Sequence, residues 1–184
     1  MRADYIHRQE LQHVLAALTP PNRLAVEISM VTGLRISDVL GIKTEQLTGA
    51  SERRLSVREL KTGKRRALKL PVELYERALA MAGRYYIFEH RLDVRRPRTR
   101  QAVNKDLARA ADAFRVRGAN LTPHSARKVY AVDEYHRTGD LARVQRLLNH
   151  SSEAVTMVYA MADTLTARRV GRKKPPPDGG GKCP

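Results

Sequence analysis

The sequence predicts a mainly α-helical fold with one small antiparallel β-hairpin, an α+β arrangement. Most apolar residues recur at helical spacing between recognisable helix-start and helix-stop signals. One stretch, residues 55–70, instead alternates near period two on either side of a turn. The chain has 184 residues, of which 42% are hydrophobic, so it is long enough for one well-packed core.

Helix-start and helix-stop signals lie on both sides of Arg35. Thr19 is followed by two prolines, which is typical of a helix start, and the helical pattern ends at Gly33. A second short helix is predicted to begin at Ser37, because its hydroxyl is a suitable N-cap. Arg35 is therefore expected in a tight turn between two helices.

The period-two stretch consists of two runs, residues 55–60 and 64–70, with Leu and Val at alternating positions. They are separated by Lys61-Thr62-Gly63, which has the composition of a turn. We therefore predict a β-hairpin that carries Lys61 at its tip.

Helical periodicity returns after the hairpin. Helices are predicted from Pro71 to Ala80 and from Gln101 to Arg117. Asp140 is a suitable cap for a later helix, and Ser151 or Ser152 is a suitable cap for the last one. Helices are thus expected to make up most of the fold.

One more helix start bears directly on function. Thr122 and Pro123 supply an N-cap and a first-turn proline, which places His124 and Arg127 three residues apart near a helix N-terminus. Backbone N–H groups and the helix dipole favour a phosphate group at such a position.

Charge points to the kind of partner. The chain has 35 Lys and Arg against 19 Asp and Glu, a net charge of +16, which favours a polyanion, with nucleic acid ahead of a membrane surface. No apolar run approaches the length of a membrane span, and no signal-peptide pattern is present. We therefore expect a cytoplasmic, nucleoid-associated protein. The single cysteine, Cys183, excludes an internal disulfide and a cysteine-based metal site.

Six residues form an ordered set that suits phosphodiester chemistry. They are Arg35, Lys61, His124, Arg127, His150 and Tyr159. Each alone has an ordinary structural account, as a helix cap, a turn lysine, a packed histidine or a buried tyrosine. Their joint occurrence, in order and in these local contexts, favours a catalytic site instead.

The chemistry of these residue types explains that preference. Arg35 and Arg127 can each offer paired N–H donors to phosphate oxygens, and a ring nitrogen of His150 can add another. A tyrosine hydroxyl has a pKa of about 10, so its use as a nucleophile requires a base or nearby positive charge, and His124 is the candidate acid/base. Lys61 on a hairpin tip is a candidate proton donor for the leaving oxygen. No metal ion or other cofactor is required.

Together, these motifs resemble the catalytic domain of the tyrosine recombinases, the phage-integrase family, over roughly residues 5–165. The resemblance places Arg35 in a Thr-Gly-Leu-Arg context, and it matches Lys61 to the family's hairpin lysine. Matches to the His-x-x-Arg motif, the later histidine and the nucleophile follow in the order His124, Arg127, His150 and Tyr159.

The resemblance implies a mechanism. Tyr159 would attack the scissile phosphate, form a 3′-phosphotyrosyl bond and release a 5′-hydroxyl, and a partner strand's 5′-hydroxyl would reverse the step. Neither ATP nor metal is needed, because the bond energy is conserved. Asp38 occupies a position where the family usually carries an acidic residue, so it is expected to orient side chains of the site.

The resemblance also has consequences for organisation. We expect residues 1–168 to form the catalytic domain and residues 169–184 to form a flexible basic tail rich in Pro and Gly. About thirty residues precede Arg35, which leaves no room for the family's N-terminal core-binding domain. Asn149 also replaces the glycine of the usual Leu-Gly-His. Implied partners are double-stranded DNA, three further copies in a homo-tetramer on DNA, and an accessory directionality factor, with a monomer expected without DNA.

The leading hypothesis is a site-specific DNA recombinase or integrase of the kind that mobile elements carry. One alternative is a short invertase-like recombinase, and another is a catalytically weak DNA-binding regulator of recombination. A type IB topoisomerase shares the chemistry, whereas an RNA-binding role explains the charge but not the tyrosine motif.

Overall fold

The computed structural model describes residues 8–114 and 121–148, and it confirms the predicted fold class. These residues form helices and one two-stranded antiparallel sheet. The helices are α1 (Arg8–Ala16), α2 (Pro20–Thr32), α3 (Ile36–Leu40), α4 (Thr44–Thr48), α5 (Val72–Met81), α6 (Arg100–Ala113), α7 (Pro123–Thr138) and α8 (Leu141–Leu148), and the strands are β1 (Arg54–Arg58) and β2 (Arg65–Lys69).

Helix α2 lies at the centre of the core. Leu24, Ile28 and Met30 are buried, and the helix contacts α1, α3, α5, α6 and α7. A helix that is apolar on several sides is stable only when other elements cover it. The helix ends at Gly33 in the left-handed conformation, with φ 67°, and the chain turns at once into α3. The packed core therefore fixes the turn that carries Arg35.

The hairpin is close to the predicted one. Strands β1 and β2 pair from Arg54 opposite Lys69 to Arg58 opposite Arg65. Every second residue of β1 faces the core, because side chains alternate along a strand. The connection spans residues 59–64, which is longer than the predicted turn, so both strands are shorter than the apolar runs suggested.

The predicted cap at Ser37 is wrong. Helix α3 begins one residue earlier, at Ile36, and Arg35 is its N-cap residue. The carbonyl of Arg35 already accepts the N–H groups of Asp38 and Val39, at 2.9 and 3.1 Å, so Ser37 lies inside the helix. The basic side chain itself therefore projects from the N-cap position, directly before the short helix.

The predicted starts of α7 and α8 are correct. The hydroxyl of Thr122 accepts the backbone N–H of His124 at 3.2 Å, which caps α7. A carboxylate oxygen of Asp140 accepts the backbone N–H of Arg143 at 2.9 Å, and α8 follows. Both caps satisfy N–H groups that have no partner within their own helix.

A buried carboxylate joins α6 to the start of α2. One oxygen of Asp106 accepts hydrogen bonds from the Thr19 backbone N–H, the Thr19 hydroxyl and the Asn22 amide, at 2.8 to 2.9 Å. Its other oxygen accepts from Arg109. Burial raises the pKa of Asp106, but hydrogen bonds from Arg109, Asn22 and Thr19 outweigh burial and lower it to about 2. The ionised form therefore stabilises the fold.

We expect Asp106→Asn to lower the free energy of unfolding by about 2 kcal/mol at pH 7. The pKa of Asp106 is about 2 in the folded protein, against an ordinary value of 3.8 that applies to the unfolded chain. The stability that its charge contributes is therefore present above about pH 4 and is lost as the pH falls towards 2. Urea unfolding at pH 7 and pH 3 should show the difference from the natural chain shrinking by about half.

The matched control for this experiment is Asp112→Asn, an exposed position on the same helix. It should change stability little at either pH, because surface substitutions away from such networks have small effects. A loss from Asp106→Asn that stays constant between pH 7 and pH 3 would contradict the assigned role of the charge.

Candidate active site

Arg35 projects from the turn between α2 and α3 and is almost fully covered. Its side chain is 12% exposed, and its Nη1 donates a hydrogen bond of 2.9 Å to a carboxylate oxygen of Glu59. Glu59 is the first residue of the hairpin connection and is completely buried. The predicted phosphate-binding arginine is therefore held by a residue that directly follows β1.

The hairpin connection brings Lys61 to this region. Lys61 is exposed near the middle of the connection, as predicted. The backbone N–H of Gly63 donates to the Glu59 carbonyl at 2.8 Å, and Gly63 adopts a φ of 66° that suits glycine. The next residue after Glu59, Leu60, donates its backbone N–H to Asp38 at 2.8 Å. The connection is thus tied to α3 directly before Lys61.

Asp38 is a buried carboxyl group where the hairpin connection meets α3. Burial raises its pKa, and the nearby charge of Glu59 raises it further. The Leu60 hydrogen bond and the positive charges of Arg35 and Arg127 act in the opposite direction. Both arginines therefore lie within electrostatic range of one carboxyl group.

Arg127 is placed deep in the protein, with 1% of the residue exposed. Its Nη1 donates to the carbonyl of Gly33 at 2.6 Å, and its Nη2 donates to the carbonyl of Leu148. The sequence suggested paired donors for a phosphate, but here both Nη groups bind backbone carbonyls. In this structure Arg127 links the turn before Arg35 to the end of α8.

His124 lies in the first turn of α7 but is exposed, whereas Arg127 on the next turn is buried. The two residues therefore meet different surroundings although their spacing puts them on neighbouring turns. Four sequence predictions fall outside the described residues. They are His150, Tyr159, the cap at Ser151 or Ser152 and the tail 169–184.

We expect Gly33→Ala to destabilise the protein by about 2–5 kcal/mol. A Cβ at position 33 would lie 2.4 Å from Cδ1 of Tyr130, and the backbone is left-handed. The strain costs about 1–2 kcal/mol and the overlap about 1–3 kcal/mol. The control is Gly139→Ala, where φ is 65° and nothing lies within 4 Å of the added Cβ, so only the strain applies. Equal losses in urea unfolding of the two variants would show that the Tyr130 ring yields freely.

Three residues that join the hairpin to the segment around Arg35 were not predicted to have a role in the site. They are Glu59, Thr62 and Arg66. Glu59 accepts from Arg35 and from the Thr62 hydroxyl, and Arg66 of β2 donates to the Thr32 carbonyl at 2.5 Å. An Nη of Arg66 also lies 3.9 Å from Glu59. The available signal was an acidic residue two places before Lys61, in a chain where basic residues dominate the hairpin.

The described residues lack two features that mark other classes of protein. Among residues 8–114 and 121–148, no three His, Cys, Asp or Glu side chains gather closely enough to bind a metal ion. In the same part of the chain, no helix combines the length and apolar character needed to cross a membrane.

Comparison with known sequences gives a consistent family. The model of the phage integrase family matches residues 4–165. Probable integrase/recombinase YoeC of Bacillus subtilis is 33% identical over 141 residues, which cover 74% of this chain and 75% of YoeC. Tyrosine recombinase XerC of Mesorhizobium japonicum is also 33% identical over 141 residues, which cover 72% of this chain but 44% of XerC.

Solved structures share the fold. XerH site-specific recombinase, bound to its palindromic difH substrate in a post-cleavage complex, matches with a TM-score of 0.69 and 20% identity, over 92% of this chain and 52% of XerH. The catalytic core of lambda integrase matches with a TM-score of 0.65 and 23% identity, over 82% of this chain and 93% of that core. Helices and hairpin are therefore arranged as in these catalytic domains.

Proposed function

The chain belongs to the phage integrase family, and from this membership we propose that it is a site-specific DNA recombinase or integrase. Tyrosine recombinases of this family cut and rejoin DNA strands through a phosphotyrosyl intermediate. The chain spans three quarters of the length of YoeC and less than half of the length of XerC. The proposed activity is therefore argued from the residues of this chain. We assign the catalytic domain to residues 1–168.

One observation carries the proposal. The Arg35 turn and the Lys61 hairpin are joined by two hydrogen bonds, from Arg35 to Glu59 and from the Leu60 N–H to Asp38. These bonds tie the turn that carries a candidate phosphate ligand to the loop that carries a candidate proton donor, although the two residues are 26 positions apart in sequence. Such positioning is a large part of catalysis of phosphoryl transfer.

The proposed chemistry begins with the charge of the phosphodiester. Its two non-bridging oxygens repel an incoming nucleophile, so positive donors must neutralise them. We assign this role to Arg35, His150 and Arg127. In this structure both Nη groups of Arg127 also donate to backbone carbonyls, which fix the position of its positive charge. Asp38 orients the hairpin connection by accepting the Leu60 N–H.

The bond changes balance without a cofactor. The Tyr159 hydroxyl oxygen forms a bond to phosphorus as the bond from phosphorus to the 5′-oxygen breaks. His124 accepts the tyrosine proton, and Lys61 gives a proton to the leaving 5′-oxygen. A 5′-hydroxyl from a second strand then reverses these steps, so the phosphodiester energy is retained and ATP is unnecessary.

The partner is double-stranded DNA, which accounts for a net charge of +16. We propose that the protein acts in the cytoplasm on the nucleoid, as a homo-tetramer on DNA and as a monomer without it. A directionality factor would then select between the forward and reverse reactions. Light scattering with and without DNA tests the assembly.

The test of the function is covalent capture. The protein is incubated with a supercoiled plasmid that carries the gene's own flanking DNA, the reaction is stopped with detergent, and products are separated on a denaturing gel. We expect DNA with attached protein. After proteolysis its 3′ ends should resist a 3′-exonuclease, whereas its 5′ ends should accept a kinase label.

The other functions give different products. Salt-sensitive binding without any covalent species supports the DNA-binding regulator, since phosphate contacts alone produce that salt dependence. Inversion of the segment between inverted repeats supports the invertase-like reading. Relaxation of the plasmid without exchange of partners supports a type IB topoisomerase.

A further inference from the structure

Glu59 is a buried carboxylate that the reaction scheme leaves without a role. Its side chain has no exposed surface. One oxygen accepts hydrogen bonds from Arg35 Nη1 at 2.9 Å and from the Thr62 hydroxyl at 3.0 Å. Its other oxygen lies 3.9 Å from an Nη of Arg66. A charge in such a place is stable only when several donors face it.

The two partners that share one oxygen belong to different parts of the site. Arg35 leaves the turn after α2, whereas Thr62 directly follows Lys61 at the hairpin tip. The backbone closes the same loop, because Glu59 donates its N–H to the Lys64 carbonyl and accepts from the Gly63 N–H. Lys61 therefore lies in a short loop in which the Thr62 hydroxyl contacts the Glu59 carboxylate.

We propose that Glu59 and Thr62 are positioning residues that set the place of Lys61 relative to Arg35. This inference rests on the proposed recombinase function and on Lys61 as the proton donor. One oxygen of the Glu59 carboxylate accepts both the Arg35 guanidinium and the Thr62 hydroxyl. The loop that carries Lys61 is therefore held at a fixed position relative to Arg35, the proposed phosphate ligand. Protonation of the leaving 5′-oxygen then occurs at the moment the phosphorus bond breaks.

A purely structural role for Glu59 makes a different prediction. If Glu59 were only a counter-ion for Arg35 and Arg66, the Thr62 hydroxyl would be dispensable, because the two arginines would still face the carboxylate. If Glu59 and Thr62 place Lys61, loss of the hydroxyl must damage proton donation selectively. Thr62→Val keeps the shape of the side chain and removes the hydroxyl, which donates to Glu59 at 3.0 Å and also accepts the Lys64 N–H of the same loop at 3.4 Å.

The test uses a change in the leaving group. We compare an ordinary DNA duplex with a duplex whose 5′-bridging oxygen at the cleavage site is sulfur, both built on the site mapped by covalent capture. A thiol has a pKa of about 8.5, so a departing thiolate does not need a proton as an alkoxide does. Rates of covalent capture on the two duplexes therefore separate proton donation from binding of the phosphate.

We expect Thr62→Val to slow capture of the oxygen duplex by about 10²-fold, because small misplacements of a catalytic group have effects of this order. Capture of the sulfur duplex should stay within about threefold of the natural chain. Thr62→Ser, which keeps the hydroxyl, should restore the rate on the oxygen duplex. Thr48→Val is the matched control, because the Thr48 hydroxyl donates only within its own helix region, to Thr44 and Glu45 carbonyls.

Three results would overturn the inference while the recombinase function stands. Equal slowing on both duplexes would mean that Thr62 supports the site as a whole, and no slowing on either would mean that its hydroxyl is dispensable. Glu59→Gln adds a second check, because loss of the charge that holds Arg35 should slow capture of both duplexes. An unaltered rate from this variant also overturns the inference. Failure of the natural chain on both duplexes would instead refute the recombinase function, and the inference with it.

Discussion

Replacing Tyr159 with phenylalanine is expected to abolish covalent capture of DNA while DNA binding is retained. The substitution removes only the hydroxyl oxygen that we propose bonds to phosphorus. The charge that binds DNA is unaltered, so the affinity at a given salt concentration should stay the same. Denaturing gels measure capture, and fluorescence anisotropy of labelled DNA measures binding.

The control for Tyr159→Phe is Tyr85→Phe, which removes an exposed hydroxyl from a tyrosine with no motif around it. Capture by this control should match the natural chain. Covalent capture that survives in Tyr159→Phe would assign the nucleophile to another residue, and peptide mapping of the adduct would then identify it.

Replacing Arg35 with methionine is expected to reduce both stability and activity. The Arg35 and Glu59 side chains are 12% and 0% exposed, so the variant leaves a buried carboxylate with less compensation. Loss of one partner of a buried ion pair typically costs about 3–5 kcal/mol, and loss of a donor to the reacting phosphate costs about 10²- to 10³-fold in rate. Urea unfolding and covalent capture measure the two effects separately.

The double variant Arg35→Met with Glu59→Gln distinguishes the two roles. Neutralising Glu59 removes the uncompensated charge, so much of the lost stability should return, whereas capture should stay low because Arg35 is still absent. The control Arg23→Met breaks a surface pair with Glu27 and should change stability by less than about 1 kcal/mol. Recovery of capture in the double variant would show that Arg35 acts only as a partner for Glu59.

Much of the scaffold was predictable because it depends on local signals. The two prolines after Thr19 and the glycine at position 33 bound α2, and Thr122 caps α7 through its own hydroxyl. The cap at Ser37 was wrong because the choice between neighbouring positions depends on which carbonyl begins the helix. That carbonyl belongs to Arg35, a residue type that cap preferences do not favour.

The site was predictable only in part because its key contacts join distant segments. Arg127 binds the carbonyl of Gly33, 94 residues away, and Arg35 binds Glu59, 24 residues away. Periodicity and motif spacing indicate which face of an element is apolar, but they do not say which buried charge meets which partner. Glu59 was missed for the same reason, since its role appears only when the hairpin lies against α3.

The hydrogen bond from Arg127 to the Leu148 carbonyl also limits how far the proposed nucleophile, Tyr159, can reach. It anchors Leu148 beside the turn that carries Arg35, and Tyr159 follows Leu148 by 11 residues. A fully extended chain advances at most about 3.6 Å per residue, so Tyr159 can travel no further than about 40 Å from this anchor. Whether Tyr159 serves its own subunit or a neighbouring one, a phosphate that it is proposed to attack must lie within the reach of its side chain from that radius.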